Sequence, residues 1–238
     1  MTAMLSNGDI LLNGITFALP KGAKLAVIGA NGSGKSTLMR ALLGMIPCGY
    51  EQYQLFGQDF RNIALKERAK LISYIGQDVH PEAGTTVWEW CELSRFPYQT
   101  SKANNDEIIA TALEQCDALA FADRKLEDLS GGERQRVYLA GALAQETPII
   151  FLDEVNSALD PKYREEMNQL VLSLAEKTVI SITHDMNALE YFSHVLALKA
   201  GNVIAIGEKD QVLNREILTT IFEYDFTEIW HDNRARYF

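Results

Sequence analysis

The stretch Gly29-Ala30-Asn31-Gly32-Ser33-Gly34-Lys35-Ser36-Thr37 sets glycines, a lysine and two hydroxyls in the spacing that seats a triphosphate. Its glycines let consecutive N–H groups turn inward on phosphate oxygens, Lys35 reaches the terminal phosphates, and the Ser36 hydroxyl is positioned to ligate Mg2+. A second stretch, Leu129-Ser130-Gly131-Gly132-Glu133, has the pattern of a helix cap. Ser130 can accept from the N–H of Glu133, and the Glu133 carboxylate can reach back to the N–H of Ser130. The two glycines that follow the cap each cost about 1 kcal/mol against alanine in a helix and add no packing. Bare backbone at a helix start offers N–H donors and the positive dipole end to an anion, so the chain carries a second phosphate seat.

Two carboxylates supply the next chemistry. Asp153 and Glu154 follow the apolar run Ile149-Ile150-Phe151-Leu152 without a gap. An Asp at the carboxyl edge of a buried strand beside a phosphate loop steadies Mg2+, usually through water. Its neighbour diverges, which leaves Glu154 to orient or deprotonate an attacking water. His184 closes the run Thr178 to Thr183 at the same sheet edge, where it can hydrogen-bond a γ-phosphate. Gln77 closes Leu71 to Ile75, and its amide can contact Mg2+ or the water. His80, His194 and His231, lacking such a position, read as structural or incidental.

These groups need a scaffold with strand ends on one edge. The glycine loop lies between the apolar run Leu25 to Ile28 and a helical run from Leu38, the strand–loop–helix order a phosphate loop requires. Tyr53 to Phe56 and Leu71 to Ile75 read as strands, and Pro148 to Leu152 and Thr178 to Thr183 as fully buried ones. A helix is predicted from Pro161 to Ala175, capped by Asp160 with Pro161 in its first position. Val195 to Leu198 and Val203 to Ile206 flank Gly201-Asn202 as a hairpin. The alternation gives a three-layer α/β plan with a parallel sheet. From about 79 to 146 the pattern is mostly helical, with Ile108, Ile109, Ala112, Leu113, Cys116 and Leu119 on one face, and is expected to form an inserted helical lobe.

Bulk properties narrow the partners. A chain of 238 residues, 47% hydrophobic, buries a full core. A formal net charge of −10 leaves no basic stripe for nucleic acid, which is excluded as a partner. Three cysteines, Cys48, Cys91 and Cys116, without C-x-x-C spacing, indicate neither a disulfide framework nor a zinc site and fit reduced thiols. No run approaches the roughly 20 apolar residues of a membrane span, so membrane work would need another subunit to supply it.

The ordered set of glycine loop, Gln77, Leu129 to Glu133, Asp153-Glu154, Ser157 to Asp160 and His184 resembles the nucleotide-binding subunits of ATP-binding cassette transporters over nearly the whole chain. The resemblance implies a P-loop NTPase (RecA-like) core over about 1–78 and 147–238, an N-terminal antiparallel β region, and a helical subdomain over about 79–146. It implies ATP and Mg2+ as ligands, with Gly29, Asn31, Gly32, Ser33, Gly34, Lys35, Ser36 and Thr37 on the nucleotide. Ser36, Gln77 and Asp153 would serve the metal, and Glu154, His184 and Gln77 the hydrolysis. It further implies an ATP-dependent head-to-tail dimer, in which Ser130, Gly131, Gly132, Glu133 and Asp160 of one copy serve the nucleotide of the other. Permease subunits, a substrate-binding protein behind them and a peripheral place on the cytoplasmic face of the cell membrane complete the expectation.

Thr86-Val87-Trp88-Glu89 through Arg95-Phe96-Pro97-Tyr98 is similar to a stretch of importers for iron-siderophores, haem and vitamin B12. In the family this lobe receives a helix of the membrane subunit, making Trp88 and Trp90 candidate contacts, although the spacing of Val87, Trp90 and Cys91 assigns Trp90 to the core. Several positions depart from the family pattern. No aromatic precedes Phe17, where one near Asn7 or Gly8 would stack on adenine; Val155-Asn156 replaces Pro-Thr; Gly76 replaces Pro; and Ser94 replaces Gly. Two alternatives share the nucleotide motifs: a soluble cassette ATPase of iron–sulfur assembly and an exporter subunit.

Overall fold

A computed structural model describes residues 1–4, 10–77, 79–155, 160–231 and 234–237, with side chains up to residue 227. Asn7, Gly8 and the stretch 156–159 lie outside the described residues. In chain order the elements are β1 (Ala3–Met4), β2 (Ile10–Leu12), β3 (Lys24–Ile28), α1 (Lys35–Leu42), β4 (Gln54–Leu55), β5 (Gln58–Asp59), α2 (Leu65–Leu71), β6 (Ile72–Ile75) and α3 (Val87–Leu93). There follow α4 (Lys102–Gln115), α5 (Gly131–Ala144), β7 (Ile149–Asp153), α6 (Pro161–Ser173), β8 (Thr178–Ile182), β9 (His194–Lys199), β10 (Asn202–Glu208), α7 (Lys209–Val212), α8 (Arg215–Phe222), β11 (Glu228–His231) and β12 (Arg234–Tyr237). The chain divides into two compact units, Met1–Asn62 with Thr178–Phe238, and Ile63–Lys177.

In the first unit the strand order is β10-β9-β3-β8. The β3 strand runs parallel to both β8 and β9, while β9 and β10 form an antiparallel hairpin. All five residues of β3 and of β8 are buried, as expected of parallel strands covered on both faces. Ala26, Ile28, Leu189, Phe192, Val195, Leu218 and Ile221 build one apolar cluster, so α8 covers the same layer that β3 and β9 contribute. The β1–β2 pair is the antiparallel N-terminal piece. The β9–β10 turn falls on Ala200 and Gly201, with φ of 46° and 75°, one residue earlier than the glycine–asparagine pair suggests. Gly201 must be glycine there, because a methyl group would stand 2.4 Å from the Leu11 carbonyl oxygen.

The predicted strand Tyr53 to Phe56 is cut to two residues. Phe56 and Gly57 turn with φ of 50° and 80°, pairing Gln54–Leu55 with Gln58–Asp59. Two left-handed residues are what a two-residue hairpin turn requires.

In the second unit β6 and β7 are parallel, with Ile72 opposite Ile149 and Ile75 opposite Leu152. Between them in sequence run α3, α4 and α5, as the helical pattern of 79 to 146 predicts. The predicted face of α4 is buried at Ile109, Ala112 and Leu113, followed by Cys116. Nine residues of α5 are buried, including the continuous run Val137 to Ala144, which makes it a central helix rather than a surface one. Trp90 packs on Tyr138 at 5.2 Å between ring centroids, the core role its spacing predicts. No helix among the described residues is long and apolar enough to cross a membrane.

Candidate nucleotide site

The first unit carries the glycine loop and His184. Gly29, Gly32 and Gly34 adopt φ of 148°, 78° and 105°, conformations that L side chains rarely take. A methyl group on Gly29 would lie 2.2 Å from the Leu198 carbonyl oxygen and 2.7 Å from Ser33 Oγ. The loop is therefore pressed against β9 and cannot carry a side chain at its root. Lys35 is 5% exposed, and its ammonium donates to the Gly29 carbonyl at 2.8 Å and the Ala30 carbonyl at 3.1 Å.

Two further features fit an anion. Ser33 Oγ is buried without a hydrogen-bond partner, a condition that costs about 1–3 kcal/mol unless a ligand answers it. The α1 helix begins at Gly34 with no side-chain cap and no acidic residue in its first turn. The α2 and α7 helices also lack a side-chain cap but carry Glu67 and Asp210 in the first turn, whereas α3, α4, α5, α6 and α8 are closed by Thr86, Ser101, Ser130, Asp160 and Asn214. Donors left open at one helix start, beside a buried lysine, suit phosphate oxygens. Asn31 and Gly32 are exposed on the loop, while Ser36 and Thr37 are half-buried in the first turn of α1. Val27 pairs with Ile182, so Gly29 and His184 each stand two residues beyond the same register point on neighbouring parallel strands.

The second unit carries the carboxylates, Gln77, Ser130 and Asp160. Ile75 pairs with Leu152, so Gln77 and Glu154 stand two residues beyond a shared register point on one strand edge. Asp153 is 3% exposed at the end of β7, where the Tyr74 hydroxyl donates to it at 3.4 Å. Glu154 has φ of 54°, a left-handed conformation that costs a non-glycine residue about 1–3 kcal/mol and collects at functional positions. Gly76 lies against the Tyr74 ring, where an added methyl group would stand 3.0 Å from the hydroxyl oxygen.

The predicted capping box on α5 is present in both directions. Glu133 N–H donates to Ser130 Oγ at 3.3 Å, and Ser130 N–H donates to Glu133 Oε2 at 2.8 Å. The Ser130 side chain, then its N–H, holds the Glu133 carboxyl below the usual carboxylate range. The two glycines behave differently. A methyl group on Gly131 would meet no atom within 4 Å, whereas one on Gly132 would stand 3.0–3.2 Å from the Tyr163 ring. Gly132 thus has a reason inside the chain, the close approach of α6. Gly131 has none. Asp160 caps α6 by accepting from the N–H groups of Lys162 at 3.0 Å and Tyr163 at 3.2 Å. Arg136 pairs with Glu166 and with Asp117, binding α5 to α6 beside that ring. Tyr163 and Arg136 were not marked by the motifs; a glycine at the second helical position, read as a site of close approach, was the available signal.

A family model described as ABC transporter matches residues 12–157. The chain belongs to this family. It is 35% identical over 237 residues to the iron(3+)-hydroxamate import ATP-binding protein FhuC of Bacillus subtilis (strain 168), covering 96% of the cassette and 88% of that relative. A metal-chelate type ABC transporter solved in an inward-facing conformation superposes on the cassette with a TM-score of 0.79 at 28% identity, covering 94% of this chain and 90% of that one. The dimeric, post-hydrolysis state of the ATP-binding cassette MJ0796 bound to ADP and Pi superposes with a TM-score of 0.77 at 27% identity, over 87% and 94%. The cassette is thus an ATP-binding α/β protein of the P-loop type, with mostly parallel strands.

Proposed function

We propose that this chain is the ATP-hydrolysing subunit of an importer for a metal chelate or cofactor of the iron-siderophore, haem or cobalamin type. It would work on the cytoplasmic face of a membrane beneath separate permease subunits that receive their cargo from a binding protein. The observation that carries the reading is that one chain holds two glycine-lined helix starts. One has its own buried lysine, and the other has a glycine, Gly131, that nothing in its own fold requires. Import, rather than export, is supported by the similarity to an iron-hydroxamate import protein over nearly the whole chain.

In this reading residues Gly29, Asn31, Gly32, Ser33, Gly34, Lys35, Ser36 and Thr37 hold the triphosphate. Lys35 exchanges the carbonyls of Gly29 and Ala30 for the terminal phosphates, and Ser33 gains the partner it lacks. Ser36, Gln77 and Asp153 each offer an oxygen donor of the kind Mg2+ accepts and would hold that ion, which when bound would neutralise charge on the phosphates. Glu154 takes the proton of the water that attacks the γ-phosphorus as the bond to the ADP oxygen breaks, and His184 hydrogen-bonds the γ-phosphate. Ser130, Gly131 and Gly132 of a second copy supply backbone donors from the opposite side, with Glu133 holding the Ser130 hydroxyl and Asp160 holding the start of α6. Each triphosphate then bridges two molecules, and the solved ADP-bound dimer of a family member supports that arrangement.

Glu154→Gln keeps size and hydrogen bonding but removes the base. It is expected to bind ATP, lose turnover by at least about a hundredfold, and accumulate as a dimer with MgATP. Sizing by light scattering with and without nucleotide checks this; a monomer at saturating MgATP overturns the reading.

A further inference from the structure

Arg95-Phe96-Pro97-Tyr98 divides sharply between inside and outside: Phe96 is 84% exposed, while Arg95 is 3% exposed. A cation withdrawn from water costs several kcal/mol unless fully satisfied, so its contacts indicate what its burial secures. Arg95 Nη1 donates to the Ala144 carbonyl at 2.6 Å and to Glu146 Oε2 at 2.8 Å, and Nε donates to Asn105 Oδ1 at 3.0 Å. Its guanidinium lies 4.2 Å from the centre of the Tyr98 ring. The Tyr98 hydroxyl in turn donates to the Gln145 carbonyl at 2.6 Å.

Ala144 is the last residue of α5 and Gln145 its cap, so both side chains end on carbonyls the helix itself leaves open. The positive charge also sits where a helix dipole favours a cation. From the same cap Gln145 Nε2 donates to the carbonyls of Ala69 at 2.6 Å and Ile72 at 3.1 Å. Ile72 is the first residue of β6, whose other end leads through Gly76 to Gln77. One junction therefore holds the far end of the helix that starts at Ser130 and the near end of the strand that leads to Gln77.

We propose that Arg95 and Tyr98 are positioning residues of the ATPase reaction, which hold the end of α5 whose cap, Gln145, is tied to the root of β6, and so aim Ser130 and Gly131 at one extremity and Gln77 at the other. The proposal rests on the function proposed above for those three residues. Lever length makes the clamp matter. A helix of 14 residues is about 21 Å long, so a tilt of about 3° at Ala144 moves Ser130 by about 1 Å. A misplacement of that size costs a reaction on the order of a hundredfold.

Tyr98→Phe removes a single hydroxyl, and Arg95→Lys keeps the charge but cannot span Asn105, Ala144 and Glu146 together. In both, ATP affinity of the isolated chain is expected to stay within about twofold while kcat falls about tenfold or more. The Glu154→Gln form carrying either change should need more MgATP to dimerise. Amide hydrogen exchange, which needs no turnover, should quicken in residues 130–137 and 72–77. Unchanged kcat with a folded variant, or faster exchange confined to residues 95–105 and 144–146, overturns the proposal. So does loss of ATP affinity in parallel with kcat, the mark of general damage. If Arg95→Lys fails to fold, Tyr98→Phe decides. If the unmodified chain neither hydrolyses ATP nor, as Glu154→Gln, dimerises, the function reading fails by itself, and the exchange pattern still decides the clamp.

Discussion

Gly131 and Gly132 are adjacent in sequence, yet substitution should separate them. An alanine at Gly131 meets open space and gains helix propensity, so Gly131→Ala is expected to leave the chain as stable or up to about 1 kcal/mol more stable. At Gly132 the same methyl group presses on the Tyr163 ring, and the strain should offset that gain, leaving Gly132→Ala less stable than Gly131→Ala by about 1 kcal/mol. Urea denaturation of the two proteins measures the difference. Function should reverse the order of concern, because Gly131→Ala puts its methyl group on a surface that the proposed dimer needs bare. Both glycines were legible from sequence as an anomaly. Their different causes were not, since Tyr163 lies 31 positions away in the chain and no local spacing reports it.

At the scale of elements, the start of α5 was readable because a capping box is a contact between neighbours. The same pattern occurs at Thr86 and Glu89, where the box on α3 is also closed in both directions. The end of α5 was not readable, because Arg95 and Tyr98 reach it from the turn after α3 and satisfy carbonyls rather than a motif. The α2 helix and the β4–β5 hairpin were missed for similar reasons. Phe56 occupies a left-handed turn position where Asn or Gly would have signalled a hairpin, and α2 has no side-chain cap to announce it. The cap on α5 also has a pH signature. Hydrogen bonds lower the folded pKa of Glu133, so its stabilisation is full above the unfolded value and fades as pH falls through the folded one. Glu133→Gln, measured by thermal denaturation from pH 7 to pH 3, should flatten that part of the acid decline. An equally steep decline in the variant would mean that other carboxylates set it.

For the whole molecule, the sequence carried the α/β class, the strand order along the chain and the helical run, because buried parallel strands and amphipathic helices leave periodic patterns. Boundaries shifted by a residue or two: the predicted helix Pro161 to Ala175 ends at Ser173, and Leu71 belongs to α2 rather than to β6. Nucleotide binding should register on global stability by mass action. At a MgATP concentration of about 100 times Kd the folded chain gains about 2.7 kcal/mol, which raises Tm by several degrees. Lys35→Ala should show no such shift, since the ammonium proposed to face the phosphates is gone. A normal shift in that variant would place the principal ATP contacts elsewhere.

The position of Lys35 bears on how the proposed site would take up its ligand. Its ammonium is already clasped by the carbonyls of its own loop, and Gly29, Gly32 and Gly34 already hold the backbone turned. In the proposed role of this loop, ATP would trade one set of acceptors for another on a backbone already turned. Capture by the proposed site would then be an encounter with a ready receptor, and its residence time would depend on how firmly the released carbonyls compete for their lysine.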